Sequence, residues 1–422
     1  MTYPASVRVL YSLGNEVKVA KLELSRIERL LEALGAPHRG GRYIHVAGTN
    51  GKGSTCAMIE SGLRAAGWRT GLYTSPHLSE PVERIRIGGI PVAPEEFAAA
   101  CRQVREAVER LLAGGELDAH PTYVETVTAM AFLLFREARV EVAVLEVGLG
   151  GRLDATNVVQ PELAVITRVD FDHEAFLGKS LEAIAAEKAG ILKPGARALF
   201  APQRPEVGPV LEARAAALGI VPARVSEWEV GDLEVHAFGS RFTARSGNVL
   251  HLECPLAGEH QVANALTAAA ALELAGVPAG AIERGIRATS WPGRLERVAE
   301  RPDLFLDGAH NPAGARALAA YIQRFHASKR VWLVYGAMRD KAVAEMAGIL
   351  APVAGEVILT APAQARAVRP EVLRELFDHP RRRTAAGLEE ALALLSEAGP
   401  QDAVFITGSL FLVGEARARL VQ

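Results

Sequence analysis

His45-Val46-Ala47-Gly48-Thr49-Asn50-Gly51-Lys52-Gly53-Ser54-Thr55 reads as the end of an apolar strand, a glycine turn, and the start of a helix carrying a lysine and two hydroxyls. Glycines let main-chain N–H groups approach anionic oxygens, and the helix start adds its positive dipole end. Lys52 supplies a cation, and Ser54 or Thr55 can reach a magnesium ion. Gly48, Thr49, Asn50, Gly51, Lys52, Gly53 and Ser54 are therefore expected to hold a polyphosphate, with ATP as the nucleotide. The pattern is a shortened one: Val46 stands where a first glycine is usual, and Gly53 where a hydroxyl usually follows the lysine. A plain glycine-rich strand-to-helix turn is the alternative, against which Lys52 and the two hydroxyls stand in register.

From this turn outward, short β-branched runs alternate with longer amphipathic stretches, the pattern of a mostly parallel sheet covered by helices. Strands are expected at Arg42 to Ala47, Thr70 to Thr74, Glu141 to Val147, Leu163 to Thr167 and Ala196 to Ala201, and helices at Ser54 to Gly67, Glu95 to Leu112 and Thr122 to Ala138. The last begins with Thr122-x-x-Glu125, a capping box. Between Trp228 and Pro255 the period changes to alternation, so antiparallel hairpins are expected, turning around Gly239-Ser240 and Ser246-Gly247-Asn248. An Ala-rich helix follows at Gln261 to Ala275. Strand–helix alternation then restarts, with strands at Leu304 to Leu306, Val331 to Tyr335, Val357 to Thr360 and Ala403 to Thr407. The expected fold is α/β: an ATPase domain with a mostly parallel sheet and a small antiparallel section over residues 1–294, then a smaller α/β domain over 295–422.

Bulk properties narrow the partners. A chain of 422 residues with 49% hydrophobic residues can bury two cores. The 47 basic and 49 acidic residues are interspersed, without the basic run that marks a nucleic-acid or membrane surface, so neither partner is expected. Cys56, Cys101 and Cys254 are odd in number and lack paired metal spacing, which predicts buried thiols in a reducing compartment and no zinc site. Met1 to Tyr11 shows no signal pattern, and nowhere do about eighteen apolar residues run uncharged. A cytoplasmic location and a monomer are expected.

Phosphate chemistry needs a metal, which directs attention to strand ends. Glu146 closes the apolar run Val142 to Leu145 ahead of Gly148-Leu149-Gly150-Gly151, placing its carboxylate at the sheet edge where ligands sit in open α/β folds. His173 follows another strand, with Asp170 and Asp172 as candidate partners for its second ring nitrogen. Taken singly, a strand-end glutamate is usually solvated and a lone histidine is usually structural. Lys188 lies in an apolar helical stretch, Ala185 to Ile191, where it would either snorkel to solvent or, if buried, lose its proton and take up carbon dioxide as a carbamate.

Six ordered blocks then resemble one family. They are His45 to Ser54, Thr74-Ser75-Pro76-His77-Leu78, Leu145 to Asn157, Glu187-Lys188-Ala189-Gly190, Gly258-Glu259-His260-Gln261, and Leu306-Asp307-Gly308-Ala309-His310-Asn311-Pro312; Gly408 to Val413 closes the series. Together they span nearly the whole chain and resemble folylpolyglutamate synthase/dihydrofolate synthase, a branch of the Mur ligase superfamily. The resemblance implies a cleft between a large ATPase domain and a smaller α/β domain. It implies magnesium ligands at Ser75, Glu146 and His173, and a carbamylated Lys188 supporting a second magnesium. It further implies ATP contacts at Asn264, Arg294 and Asp307, with His310 approaching the phosphates and Lys52, Lys188 and His310 as the catalytic set. Arg168 and Asp170 replace the Asn and Gly common before the Asp-His pair, and Tyr123-Val124-Glu125 replaces a Phe-Phe-Glu type triplet. Both departures bear on the folate side of the cleft.

The implied reaction is ATP-driven amide formation: a folate or dihydropteroate carboxylate is phosphorylated, and L-glutamate displaces the phosphate. Two other readings use the same glycine turn. A nucleotide-dependent switch ATPase leaves Glu146, His173 and Lys188 without a role. A cell-wall Mur-type peptide ligase fits less well, since Ser75-Pro76-His77 and His260-Gln261 follow the folate branch and no uridine-nucleotide domain of usual size is expected ahead of residue 42.

Overall fold

The computed structural model describes residues 1–14 and 23–421. Arg42–Ala47 (β1) is buried from Tyr43 onward and lies inside an eight-stranded sheet. Its partners are Thr70–Tyr73 (β2), Ile85–Ile87 (β3), Ile90–Pro91 (β4), Val142–Glu146 (β5), Leu163–Ile166 (β6), Arg197–Phe200 (β7) and Ala223–Arg224 (β8). The order is β4-β3-β2-β5-β1-β6-β7-β8, parallel from β2 to β8, with β3 and β4 antiparallel at one edge. A parallel strand with both faces covered must be apolar on both. Tyr43 accordingly packs under the helices Pro94–Ala113 and Tyr123–Glu137, while Ile44 and Val46 pack against Lys52–Ala65 and Glu259–Leu274 on the other face.

The capping box forms as read. Thr122 Oγ1 accepts from Glu125 N–H at 3.2 Å, and Glu125 Oε2 accepts from Thr122 N–H at 2.7 Å. The alternating segment becomes a three-stranded antiparallel sheet of Glu229–His236 (β9), Gly239–Arg245 (β10) and Val249–Cys254 (β11). Its first turn is Ala237-Phe238, two residues earlier than expected, because Gly239 already pairs with His236 as the first residue of β10. Phe242, Ala244, Leu250 and Leu252 point into the core of the large sheet, so this small sheet covers one flank of it.

A six-stranded sheet holds Glu296–Ala299 (β12), Asp303–Leu306 (β13), Val331–Tyr335 (β14), Glu356–Leu359 (β15), Arg382–Thr384 (β16) and Ala403–Thr407 (β17), in the order β12-β13-β17-β14-β15-β16. All its pairs are parallel except β12 with β13. Phe305, Leu333 and Tyr335 face one helical layer, and Leu304, Leu306, Trp332 and Val334 the other. The three cysteines are buried and free. No helix among the described residues is long and apolar enough to cross a membrane.

One core residue of this sheet sets an acid limit on stability. His326 is 3% exposed, is boxed by Phe305, Tyr321 and Phe405, and has neither ring nitrogen hydrogen-bonded among the described residues. Burial, with help from the Lys329 charge, holds its pKa down to about 4. The unfolded chain takes up this proton near pH 6.5 and the folded chain does not. Stability should therefore fall as pH drops from about 6.5 to about 4, by up to roughly 3 kcal/mol from this group. Denaturant melts should show His326→Phe flattening that acid arm; an unchanged arm would count against this account.

Candidate active site

The glycine turn sits at the carboxyl end of β1 and is tied to the end of β6. Thr49 and Asn50 N–H groups donate to Arg168 O at 2.9 and 3.2 Å, while Thr49 Oγ1 donates to Asp170 O at 2.8 Å. Thr167 Oγ1 donates to Asn50 O at 2.9 Å. Gly51 caps the helix Lys52–Ala65 at φ 84°, a left-handed conformation in which a side chain would also strike Asn264. Among the described residues no side-chain cap hydrogen-bonds that helix end, so its N–H groups are available to an anion. Lys52 folds back over the turn, donating to Gly48 O at 3.2 Å and Thr49 O at 3.1 Å.

Sheet order brings chain-distant residues to this turn. β5 lies beside β1, and β2 beside β5, so Glu146 and Ser75 emerge side by side; Ser75 N–H donates to Glu146 Oε2 at 3.1 Å. Burial pushes the Glu146 carboxyl up, opposed by the Lys52 charge and the Ser75 hydrogen bond. Ser75 Oγ accepts from Arg84 at 3.0 Å. Lys188 arrives on the helix Leu181–Ala189, 4% exposed, and donates to Gly48 O at 2.7 Å. Burial first, then the Lys52 charge, lowers its pKa to about 7.

On the other side of the turn, His173 follows β6 in a left-handed conformation at φ 53°. Burial and the Lys341 charge lower its pKa to about 4, leaving a neutral imidazole at neutral pH. Its Nε2 lies 3.3 Å from Lys341 Nζ and 3.8 Å from Asp172 Oδ1. Asp172 collects partners from the second half of the chain: Lys341 at 2.6 Å, Asn311 at 3.1 Å and His310 at 3.6 Å. Burial alone would raise its carboxyl, but the nearby His310 imidazole and the Lys341 charge outweigh it and hold the group well below the ordinary carboxylate range. The expectation that Asp170 would also partner His173 is corrected: its carboxylate accepts from Phe171 N–H and pairs with Arg204 instead.

Asn264 and Gln261 approach the turn from the helix Glu259–Leu274, with Gln261 Nε2 donating to Ser54 Oγ at 3.3 Å and Asn264 Nδ2 donating to Gln261 Oε1 at 2.9 Å. Asp307 directly follows β13, where its two oxygens accept from Leu295 and Ala309 N–H groups at 3.0 and 3.1 Å. Arg294 forms no ion pair among the described residues. Burial lowers its pKa against the opposing pull of Asp307 and Glu146. His310 is oriented by Gly308 O, 2.8 Å from its Nδ1.

All fifteen residues singled out from the sequence, Gly48 to Ser54 together with Ser75, Glu146, His173, Lys188, Asn264, Arg294, Asp307 and His310, line one cavity of about 920 Å³. Lys341 and Asn311 were not singled out individually. Lys341 carries no local signal, whereas Asn311-Pro312 is a legible helix start, a capping side chain before proline at the first helical position. Among the described residues there is no cluster of three or more His, Cys, Asp or Glu side chains fit to hold a metal, so a metal here would depend on hydroxyl, modified-lysine or phosphate oxygens as well.

The sequence comparisons agree with this architecture. The Mur ligase middle domain family matches residues 46–272, and the Mur ligase glutamate ligase domain family matches residues 293–410. Folylpolyglutamate synthase of Lacticaseibacillus casei is 36% identical over 434 residues, covering 100% of this chain and 99% of that one. Dihydrofolate synthase/folylpolyglutamate synthase of Mycobacterium tuberculosis is 36% identical over 433 residues, covering 93% and 89%. The crystal structure of Mycobacterium tuberculosis folylpolyglutamate synthase complexed with ADP and AMPPCP superposes with a TM-score of 0.92 at 36% identity, over 100% of this chain and 99% of that one. With both halves matched and these relatives aligned almost end to end, the chain belongs to the folylpolyglutamate synthase/dihydrofolate synthase branch of the Mur ligase family.

Proposed function

We propose that this chain uses ATP to join L-glutamate to a folate carboxylate, and that dihydropteroate serves as a second acceptor. The observation that carries the reading is the single cavity in which the glycine turn, Glu146 and Lys188 face His310 and the Asp307 loop. The acceptor carboxylate attacks the γ-phosphorus, forming an acyl phosphate and releasing ADP. The amine of glutamate then attacks the acyl carbon, forming the amide and releasing phosphate. Oxide is a hopeless leaving group and phosphate a good one, which is the reason for the first step. Lys52 and the free N–H groups of the helix start spread the negative charge that builds on the transferring group. Asp307, Gly308, Ala309 and His310 line the cavity from the second sheet, where they limit the water that would hydrolyse the acyl phosphate.

The residues present fit magnesium. Glu146 is a buried carboxylate on the Ser75 main-chain N–H, and such an oxygen donor suits a hard cation that keeps few protein ligands. Ser75 and Glu146 would hold one ion, and His173 and carbamylated Lys188 a second, His173 exchanging its present Lys341 contact for the metal. When bound, magnesium neutralises charge on the phosphates.

A coupled assay of ADP formation tests the reading. Sustained ADP formation should require glutamate together with either tetrahydrofolate or dihydropteroate. Release indifferent to either addition would instead mark a nucleotide switch.

A further inference from the structure

Asn311 is 2% exposed and uses every polar atom of its side chain. Its Oδ1 accepts from Gly314 N–H at 2.9 Å, capping the helix Pro312–Phe325. Its Nδ2 faces Asp172 Oδ2 at 3.1 Å and Asn50 Oδ1 at 3.0 Å. A main-chain N–H on one side and a carboxylate on the other leave only one orientation for this amide. Because Nδ2 can only donate, the Asn50 atom that meets it must be the oxygen; the flipped alternative would set two donors face to face. The Asn50 NH2 group is thereby turned away, and it is buried with no hydrogen-bond partner among the described residues. It lies in the middle of the Gly48–Lys52 turn, where an unpaired buried donor is costly unless it has an acceptor to meet.

We infer that Asn311 is a positioning residue: it orients the Asn50 amide so that the NH2 group is reserved for a terminal phosphoryl oxygen of the bound triphosphate. Asn50 lies on the turn after β1 and Asn311 after β13, on the other sheet. The donor is therefore set only while the second domain is seated against the glycine turn. This links nucleotide recognition to the closed cleft through two amides. The inference rests on the nucleotide part of the function proposed above and is read out by binding, without folate.

The test uses Asn311→Ser in the full chain. Serine still caps the helix, since its oxygen accepts from Gly314 N–H, but it is too short to reach Asn50. Calorimetric titration with magnesium should show AMPPCP affinity falling about tenfold and ADP affinity changing less than about twofold, in a protein that is still folded at the titration temperature. Asn50→Ala should show the same selective loss, and adding Asn311→Ser to it should cost little more, because both remove one donor. Should Asn311→Ser melt early, its titrations are run at a temperature where it is fully folded, with the Asn50→Ala loss as the reference it must match. Equal losses for the two nucleotides, no loss for either, or additive losses in the double variant would overturn the inference. None of these outcomes touches the wild-type requirement for folate and glutamate in ADP formation, so the two readings fail separately.

Discussion

Lys188→Ala is expected to lower kcat by about 10²–10³-fold, the scale on which one preorganised charge-stabilising group acts. Nucleotide affinity should change by no more than about threefold, because the lysine acts on the reacting groups and not on the nucleotide's grip. The reason lies in its surroundings. An ordinary lysine is neutral in roughly one molecule in 2,500 at pH 7. Lys188, buried and close to the Lys52 charge, has its pKa lowered to about 7, so a large share of its amine is free to attack carbon dioxide. Carbamate formation makes one N–C bond, releases one proton, and leaves one N–H to keep the hydrogen bond to Gly48 O. It converts a cation that would repel magnesium into an oxygen donor.

The sign of the pH dependence follows. Protonation blocks carbamate formation, so turnover should fall as pH drops through about 7, approaching tenfold per pH unit, and dissolved bicarbonate should raise the acid limb. A carbamate carbon resonance after loading with labelled bicarbonate, absent in Lys188→Ala, checks the modification without assaying turnover. Undiminished turnover in the alanine variant would remove the carbamate from the mechanism.

Much of the frame was readable from the chain. β1, β14 and β17 fall on the residues that the β-branched runs mark, because a strand buried on both faces needs an unbroken apolar run between polar boundaries. β4, β8 and β16 have only two or three residues each, too few to show a period in the sequence. The site was harder to read from the residues alone. Ser75, Glu146 and His173 are each unremarkable in sequence. They become a constellation because the order β2-β5-β1-β6 lines up four strand ends along one edge, information that resides in pairing and not in any local window. Lys341 reaches Asp172 and His173 from the second sheet, and docking between two sheets leaves no periodic trace in either.

Glu146→Gln is expected to raise the magnesium concentration needed for half-maximal activity at least about tenfold and to cut kcat/KM by about 10²-fold, as loss of a ligand's charge should. The glutamine carbonyl can still accept from Ser75 N–H, so the turn keeps its hydrogen bond and only the charge is removed. Glu146→Ala removes both and should weaken magnesium–nucleotide binding further. Stability should move the other way. The folded protein holds the Glu146 proton more tightly than the unfolded chain does, so ionising this carboxyl as pH rises costs stability in the metal-free state. Glutamine removes that cost, and the metal-free variant should melt no lower than wild type at neutral pH. A carboxylate kept at a buried strand end against this cost points to the cation it serves, since function is what sustains such local strain. Unchanged magnesium dependence in Glu146→Gln would reject the ligand assignment. A lower melting temperature with normal magnesium dependence would make Glu146 a structural anchor for Ser75 instead.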